Sequence, residues 1–232
     1  MITVRPSEER GSANHGWLNS KFSFSFADYQ DPKHVHFRNL RVINEDRVAA
    51  AQGFGMHPHR DMEIFTWVRE GKLEHADTMG NKRTIEPNEA QAMSAGSGLY
   101  HSEYNPSKTE PVHFFQVWIL PEERGVKPVY GQKTFDAAER HGQFQVLASK
   151  DSRDGSLAIN ADAAILALDL EAGQTASYSL GTGRGLWLQV ASGEIEVNGT
   201  VLKQGDGAAI ENEAQVTVTG KQAAHVLGFD VN

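Results

Sequence analysis

Two short segments carry the residues best suited to chemistry. In GFGMHPHRDMEIF (53–65), His57 and His59 lie two apart. On an extended strand, residues i and i+2 share a face, roughly 6.6 Å apart along the chain. Two imidazoles placed this way can converge on one ion, with metal–nitrogen bonds of about 2.0–2.1 Å. In SAGSGLYHSEYN (94–105), His101 and Glu103 repeat the spacing, and Gly96 and Gly98 permit a sharp turn just before them. The two segments together offer three imidazole nitrogens and one carboxylate oxygen. Such ligands suit a single divalent cation, Fe(II), Zn, Co, Mn or Ni, and the sequence does not choose among them. Glu63 lies four residues after His59 and shares its strand parity. Spacing alone therefore admits either Glu63 or Glu103 as the acidic ligand. Pro58 cannot donate to a ladder, which places the first segment at a sheet edge or an irregular strand start.

The remaining histidines read as structural. His34 and His36 form a second HxH pair, in DPKHVHFRN, but no downstream pair answers it, so a solvated loop or rim is the simpler reading. His34 could border a pocket. His75 alternates within KLEHAD like a residue of a half-wet strand. His113 opens an apolar strand and reads as a satisfied core histidine, while His141 and His225 have no companions. Trp67, Phe114, Phe115 and Trp118 are most simply core, although some could wall an aromatic substrate site.

The elements that must position these residues are strands. HFFQVWIL (113–120), GLWLQVA (185–191), EIEVNG (194–199) and QVTVTG (215–220) alternate or run apolar between turn signals. Asn198-Gly199 has the composition of a type I′ hairpin turn. Only PEERG (121–125) and FDAAERHG (135–142) suggest helices, both short. The 22 glycines and many short strands point to barrels or sandwiches. WVREGKLEHADTMGNKRTIEPNEA echoes LQVASGEIEVNGTVLKQGDGA: Val68 and Val190 each precede a glycine by three, and Leu73 and Ile195 each follow it by two. This reads as an internal duplication. The Pro-, Gly- and charge-rich stretch 120–133 marks the boundary, giving domains 1–132 and 133–232. Eight of the ten histidines lie before residue 117, so the first domain carries the chemistry.

Composition narrows the function classes. There is no cysteine, which excludes disulfides, thiolate metal sites and a cysteine nucleophile. The net charge of -8 disfavours binding to phosphate backbones, so no nucleic-acid partner is expected. No apolar run approaches the roughly 20 residues of a membrane span, and the N-terminus lacks a secretory apolar stretch. A cytoplasmic monomer is the default expectation.

At the candidate ligands the chain also resembles a known family. His57-Pro58-His59, Glu63 and Gly71 look like the first cupin motif, and Gly98-x-x-His101-x-x-x-Asn105 looks like the second. More narrowly, FSFADY (24–29), LRVINEDRV (40–48), HPHRDMEIFTWV (57–68) and SAGSGLYHSEYN (94–105) resemble the pirin family, especially its bacterial members. The resemblance implies an all-β bicupin fold, two double-stranded β-helix (jelly-roll) barrels with a few short helices. It implies a metal-binding first barrel and a second barrel without ligands. It also implies that Glu103 rather than Glu63 completes the ligand set His57, His59, His101 and Glu103, which leaves Glu63 to fix a ligand imidazole or Arg60.

Pirin relatives include quercetin 2,3-dioxygenases, so the resemblance implies a flavonol substrate and dioxygen. Glu103 would then be both ligand and general base. Two other readings carry weight: a metal-containing regulatory protein that binds a protein partner, and another cupin enzyme such as an isomerase.

Overall fold

Strand after strand, the apolar periodicity becomes antiparallel sheet. The computed structural model describes all 232 residues as 22 strands and three 3-10 turns. The chain divides into two compact units, one of Gly11–Phe135 with Leu157–Ala161 and one of Met1–Arg10, Asp136–Ser156 and Asp162–Asn232. No helix is long and apolar enough to cross a membrane.

The first unit has a seven-stranded sheet in the order Val129–Thr134, Glu89–Ser94, Glu63–Glu70, Val112–Ile119, Leu40–Val48, Leu18–Phe22 and Gly11–Asn14. Its four-stranded sheet runs Gly53–His59, Leu99–Tyr104, Leu73–Asp77 and Lys82–Ile85. The central strands Glu63–Glu70 and Val112–Ile119 are buried on nearly every residue, which is why they read as apolar runs rather than alternation. Leu99–Tyr104 alternates strictly, with Leu99, His101 and Glu103 inside and Tyr100 and Tyr104 exposed. Gly53–His59 pairs with Leu99–Tyr104 alone, so Pro58 sits on an edge strand where its missing N–H costs little.

The second unit repeats the plan. Its larger sheet carries Ile2–Arg5, Gly207–Glu211, Gly185–Ser192, Ala224–Val231, Ala163–Leu170 and Gln145–Ser149 in order. Its smaller sheet runs Thr175–Ser179, Gln215–Gly220, Glu194–Val197 and Thr200–Lys203. Each unit is thus a double-stranded β-helix, and the chain is an all-β bicupin. The echo between the halves has a steric basis. Gly71 and Gly193 both take a positive φ, at 75° and 80°. A Cβ on either would run into a backbone carbonyl, that of Pro111 or of Ala223. Only glycine turns the chain there.

Strand registers also show what each barrel encloses. Facing Gln116 across the first sheet are Asn44 and Thr66; facing Gly228, its counterpart in the second, are Leu166 and Leu188. His57 lies opposite His101, whereas Tyr178 lies opposite Val216. The second interior is filled by aliphatic side chains, among them Leu166, Leu168, Leu188, Val216, Val218 and Val226.

Local expectations fared unevenly. The Asn198-Gly199 turn has φ of 43° and 86°, both positive as a type I′ turn requires. FDAAERHG yields one 3-10 turn, Ala137–Arg140, capped by the Asp136 carboxylate accepting from the Ala138 N–H. PEERG is not helical, because its donors are taken elsewhere. Glu122 N–H donates to the Asn160 carbonyl and Gly125 N–H to the Asp61 carboxylate.

Candidate metal centre

Antiparallel pairing sets His57 directly opposite His101. Strand parity brings His59 to the same inner face as His57. The three imidazole rings lie 4.4–4.9 Å apart between centroids. Their donor atoms all fall within 4.8 Å of one another, a grouping able to hold one metal ion.

Hydrogen bonding fixes which nitrogens are available. His57 Nδ1–H donates to the Gly55 carbonyl at 2.8 Å, which leaves its Nε2 lone pair for a ligand. His59 Nε2 and both ring nitrogens of His101 are buried without a protein partner. Buried polar atoms of this kind cost free energy unless something satisfies them, and a cation would satisfy the one lone-pair nitrogen that each neutral ring offers. Burial, aided by the charge of neighbouring imidazoles, lowers His59 to about 4 and His101 to about 3. Both rings are therefore neutral near pH 7, the form that binds metal. The residues fit a divalent cation of the kind imidazole ligands select.

Glu103 is buried beside this group but outside the three-histidine cluster. Both its oxygens accept from one donor, Gln116 Nε2, at 2.8 and 2.9 Å. A register shift between His101 and Glu103 places Glu103 opposite Phe54. Glu63 points elsewhere. One oxygen accepts from Ser94 Oγ at 2.6 Å and the other from Asn160 N–H at 2.9 Å. Burial raises its pKa against those two bonds. The parity that made Glu63 a competitor assumed one continuous strand. The strand ends at His59 and a new one starts at Glu63, with Asp61 at φ 49° between them. The expected support of a ligand imidazole or of Arg60 by Glu63 is replaced by this anchoring of Ser94 and Asn160.

Behind the cluster, His75 packs 5.3 Å from His101. Gln91 Nε2 donates to His75 Nδ1, and His75 Nε2–H donates to Asp77. Both nitrogens are thus engaged, and His75 is structural, as its spacing suggested. Burial opposes ionisation of Asp77, but hydrogen bonds from His75 and Asn81 outweigh it and lower its pKa. Asn105 of the second motif is a pin: its amide donates to the carbonyls of Val48, Ala49 and Glu110.

His57, His59 and Glu103 open onto a cavity of about 750 Å³. Its wall carries Trp17, Phe22, Phe26, Tyr29, Phe54 and Trp118. The Trp118 ring stands edge-on to His59 at 4.9 Å, so this tryptophan is wall as well as core. His34 and His36 bond to Asp31 and the Arg38 carbonyl and do not line the cavity. His113 Nε2 bonds to Glu45, but its Nδ1 is buried without a partner, so the expected satisfied core histidine is satisfied at one nitrogen only. His225, expected to stand alone, pairs with Asp169, which Arg140 also binds. Sequence reasoning missed Asn44 and Gln116, both lining the cavity. A polar amide inside the run FFQVW was the available signal for Gln116.

Comparison with known proteins agrees with this architecture. Residues 3–119 match the Pirin family and residues 146–231 the quercetinase C-terminal cupin domain. The chain is 46% identical over 231 residues to the quercetin 2,3-dioxygenase of Escherichia coli K12, covering 100% of this chain and 99% of that one. It is 44% identical to a pirin-like protein of Caulobacter vibrioides, with 99% of each chain covered. The crystal structure of the Escherichia coli bacterial pirin YhhW in complex with nickel(II) aligns at TM-score 0.94 and 45% identity, covering 100% and 99% of the two chains. With both halves matched, and full-length relatives at this identity, the chain belongs to the pirin family.

Proposed function

We propose that this protein is a metal-dependent oxygenase that opens the central ring of a flavonol such as quercetin, using dioxygen and releasing carbon monoxide. One observation carries the reading: three imidazoles converge at the wall of an aromatic-lined cavity of about 750 Å³, large enough for a planar polyphenol. The 46% identical relative bearing the name quercetin 2,3-dioxygenase supports it.

His57, His59 and His101 would hold the cation, with Glu103 as the fourth ligand. When bound, the metal supplies a Lewis acid with a position open to a substrate oxygen. The aromatic wall binds and orients the flat ring system, with Trp118 and Phe26 (5.4 Å apart) forming a corner beside His59. Those rings also exclude water. Glu103 is the group placed to take the proton of the flavonol hydroxyl, and Gln116 steadies it there. Residues 1–132 would carry this chemistry, and 133–232, whose matching inner positions are apolar, would serve as scaffold.

The test is spectrophotometric. Protein loaded separately with Fe(II), Mn, Co, Ni or Zn is mixed with quercetin, with and without oxygen, and the visible absorbance followed. Oxygen-dependent loss should appear with at least one metal and vanish in His101→Ala and Glu103→Ala but persist in Glu63→Ala. No oxygen-dependent loss with any metal would sink the reading, and loss of activity only in Glu63→Ala would sink the ligand choice.

A further inference from the structure

The carboxylate beside the imidazoles is restrained in an unusual way. Glu103 is 1% exposed, yet its carboxylate has a single hydrogen-bond partner, the neutral amide of Gln116. One nitrogen serves both oxygens, at 2.8 and 2.9 Å. Gln116 is itself buried, in the middle of the strand Val112–Ile119, with ladder partners on both sides. It therefore cannot follow Glu103 far.

This arrangement has a consequence for coordination. A carboxylate binds a metal through one oxygen or through two. Gln116 Nε2 lies 2.8 and 2.9 Å from the two oxygens, where a cation bound through both would sit. Binding through one oxygen on its outer side keeps that contact, whereas binding through both displaces it and leaves a buried N–H unsatisfied, which is costly. Resting on the reading of Glu103 as the fourth ligand, we infer that Gln116 is a positioning residue that holds Glu103 to one-oxygen coordination. The carboxylate is then a ligand that leaves easily. When a substrate oxygen takes its place, the carboxylate would return to Gln116. Nothing equivalent exists in the second barrel, where the register counterpart of Gln116 is Gly228.

Cobalt(II) provides the test, because its visible bands weaken as coordination number rises. Full-length wild type, Gln116→Met, Glu103→Ala and the double variant are titrated with Co(II), and affinity and spectrum recorded. Methionine keeps the length of glutamine without its donor. Gln116→Met should bind Co(II) more tightly, by about tenfold, the worth of roughly one charged hydrogen bond. Its bands should be weaker than wild type, and added quercetin should change them less. In the Glu103→Ala background, Gln116→Met should have no effect on either readout. Should Gln116→Met fold poorly by circular dichroism, Gln116→Asn, with the amide one carbon shorter, should show a smaller change of the same sign.

The inference fails if Gln116→Met matches wild type in affinity and spectrum, or if its effect survives in the Glu103→Ala background. If Glu103→Ala alone leaves the wild-type spectrum intact, Glu103 is not a ligand and both readings fall. If Glu103→Ala alters the spectrum and Gln116→Met does not, only the role of Gln116 falls.

Discussion

Replacing His101 by leucine should change the sign of its effect on stability according to whether metal is bound. His101 is fully buried, and neither of its ring nitrogens has a protein partner. Each buried unsatisfied polar group costs about 1–3 kcal/mol. Leucine removes both, and its imperfect fit in an imidazole-shaped space returns part of the gain, about 1–2 kcal/mol. The metal-free variant should therefore be more stable than metal-free wild type by about 2 kcal/mol, a Tm rise of roughly 4–8 °C for a chain of this size. Nickel at a hundredfold excess over Kd stabilises wild type by about 2.7 kcal/mol, or roughly 5–10 °C. The variant has lost a ligand and should gain little. Differential scanning calorimetry of both proteins, in EDTA and in nickel, reads all four values. A metal-free His101→Leu protein that melts below metal-free wild type would refute the cost assigned to the orphaned imidazole. An equal nickel shift in both proteins would refute its place in the site.

Three further outcomes follow from the structure. Asn44 lines the cavity with its side-chain oxygen buried and unpartnered, so Asn44→Leu should weaken quercetin binding about 5–30-fold while leaving nickel affinity unchanged, as measured by calorimetric titration. Burial opposes the charge on Asp169, but the hydrogen bond and charge of His225, with those of Arg140, outweigh it and hold its pKa below the usual carboxylate value. A depressed carboxylate stabilises fully above its unfolded pKa of about 3.9 and loses that contribution as pH falls through the folded value. Asp169→Asn should thus cost about 1–3 kcal/mol in urea unfolding at pH 7, and the gap to wild type should close below pH 4; a gap that widens in acid would contradict this. Gly71→Ala and Gly193→Ala should each cost about 2–3 kcal/mol by urea midpoint, since both force a side chain into positive φ against a carbonyl, and a loss under 0.5 kcal/mol at either would be contrary evidence.

The sequence by itself determined a good deal. Period-two spacing put His57 with His59, and His101 with Glu103, because side chains two apart on a strand cannot avoid sharing a face. Pro58 marked an edge strand, since a proline has no donor for a second ladder. The glycine-centred echo exposed the duplication, because Gly71 and Gly193 answer the same steric demand. The resemblance to pirins added the barrel type and the family. What it left open was settled by pairing between distant residues. The break of the chain at Asp61 sends Glu63 to Ser94 and Asn160, which no parity argument contains. PEERG has helical composition, but its donors meet Asn160 and Asp61 instead. Gln116 and Asn44 were hidden for the same reason. A residue on an apolar strand shows its chemistry only when the register brings it across from another, and that register is a property of the folded sheet rather than of either segment alone.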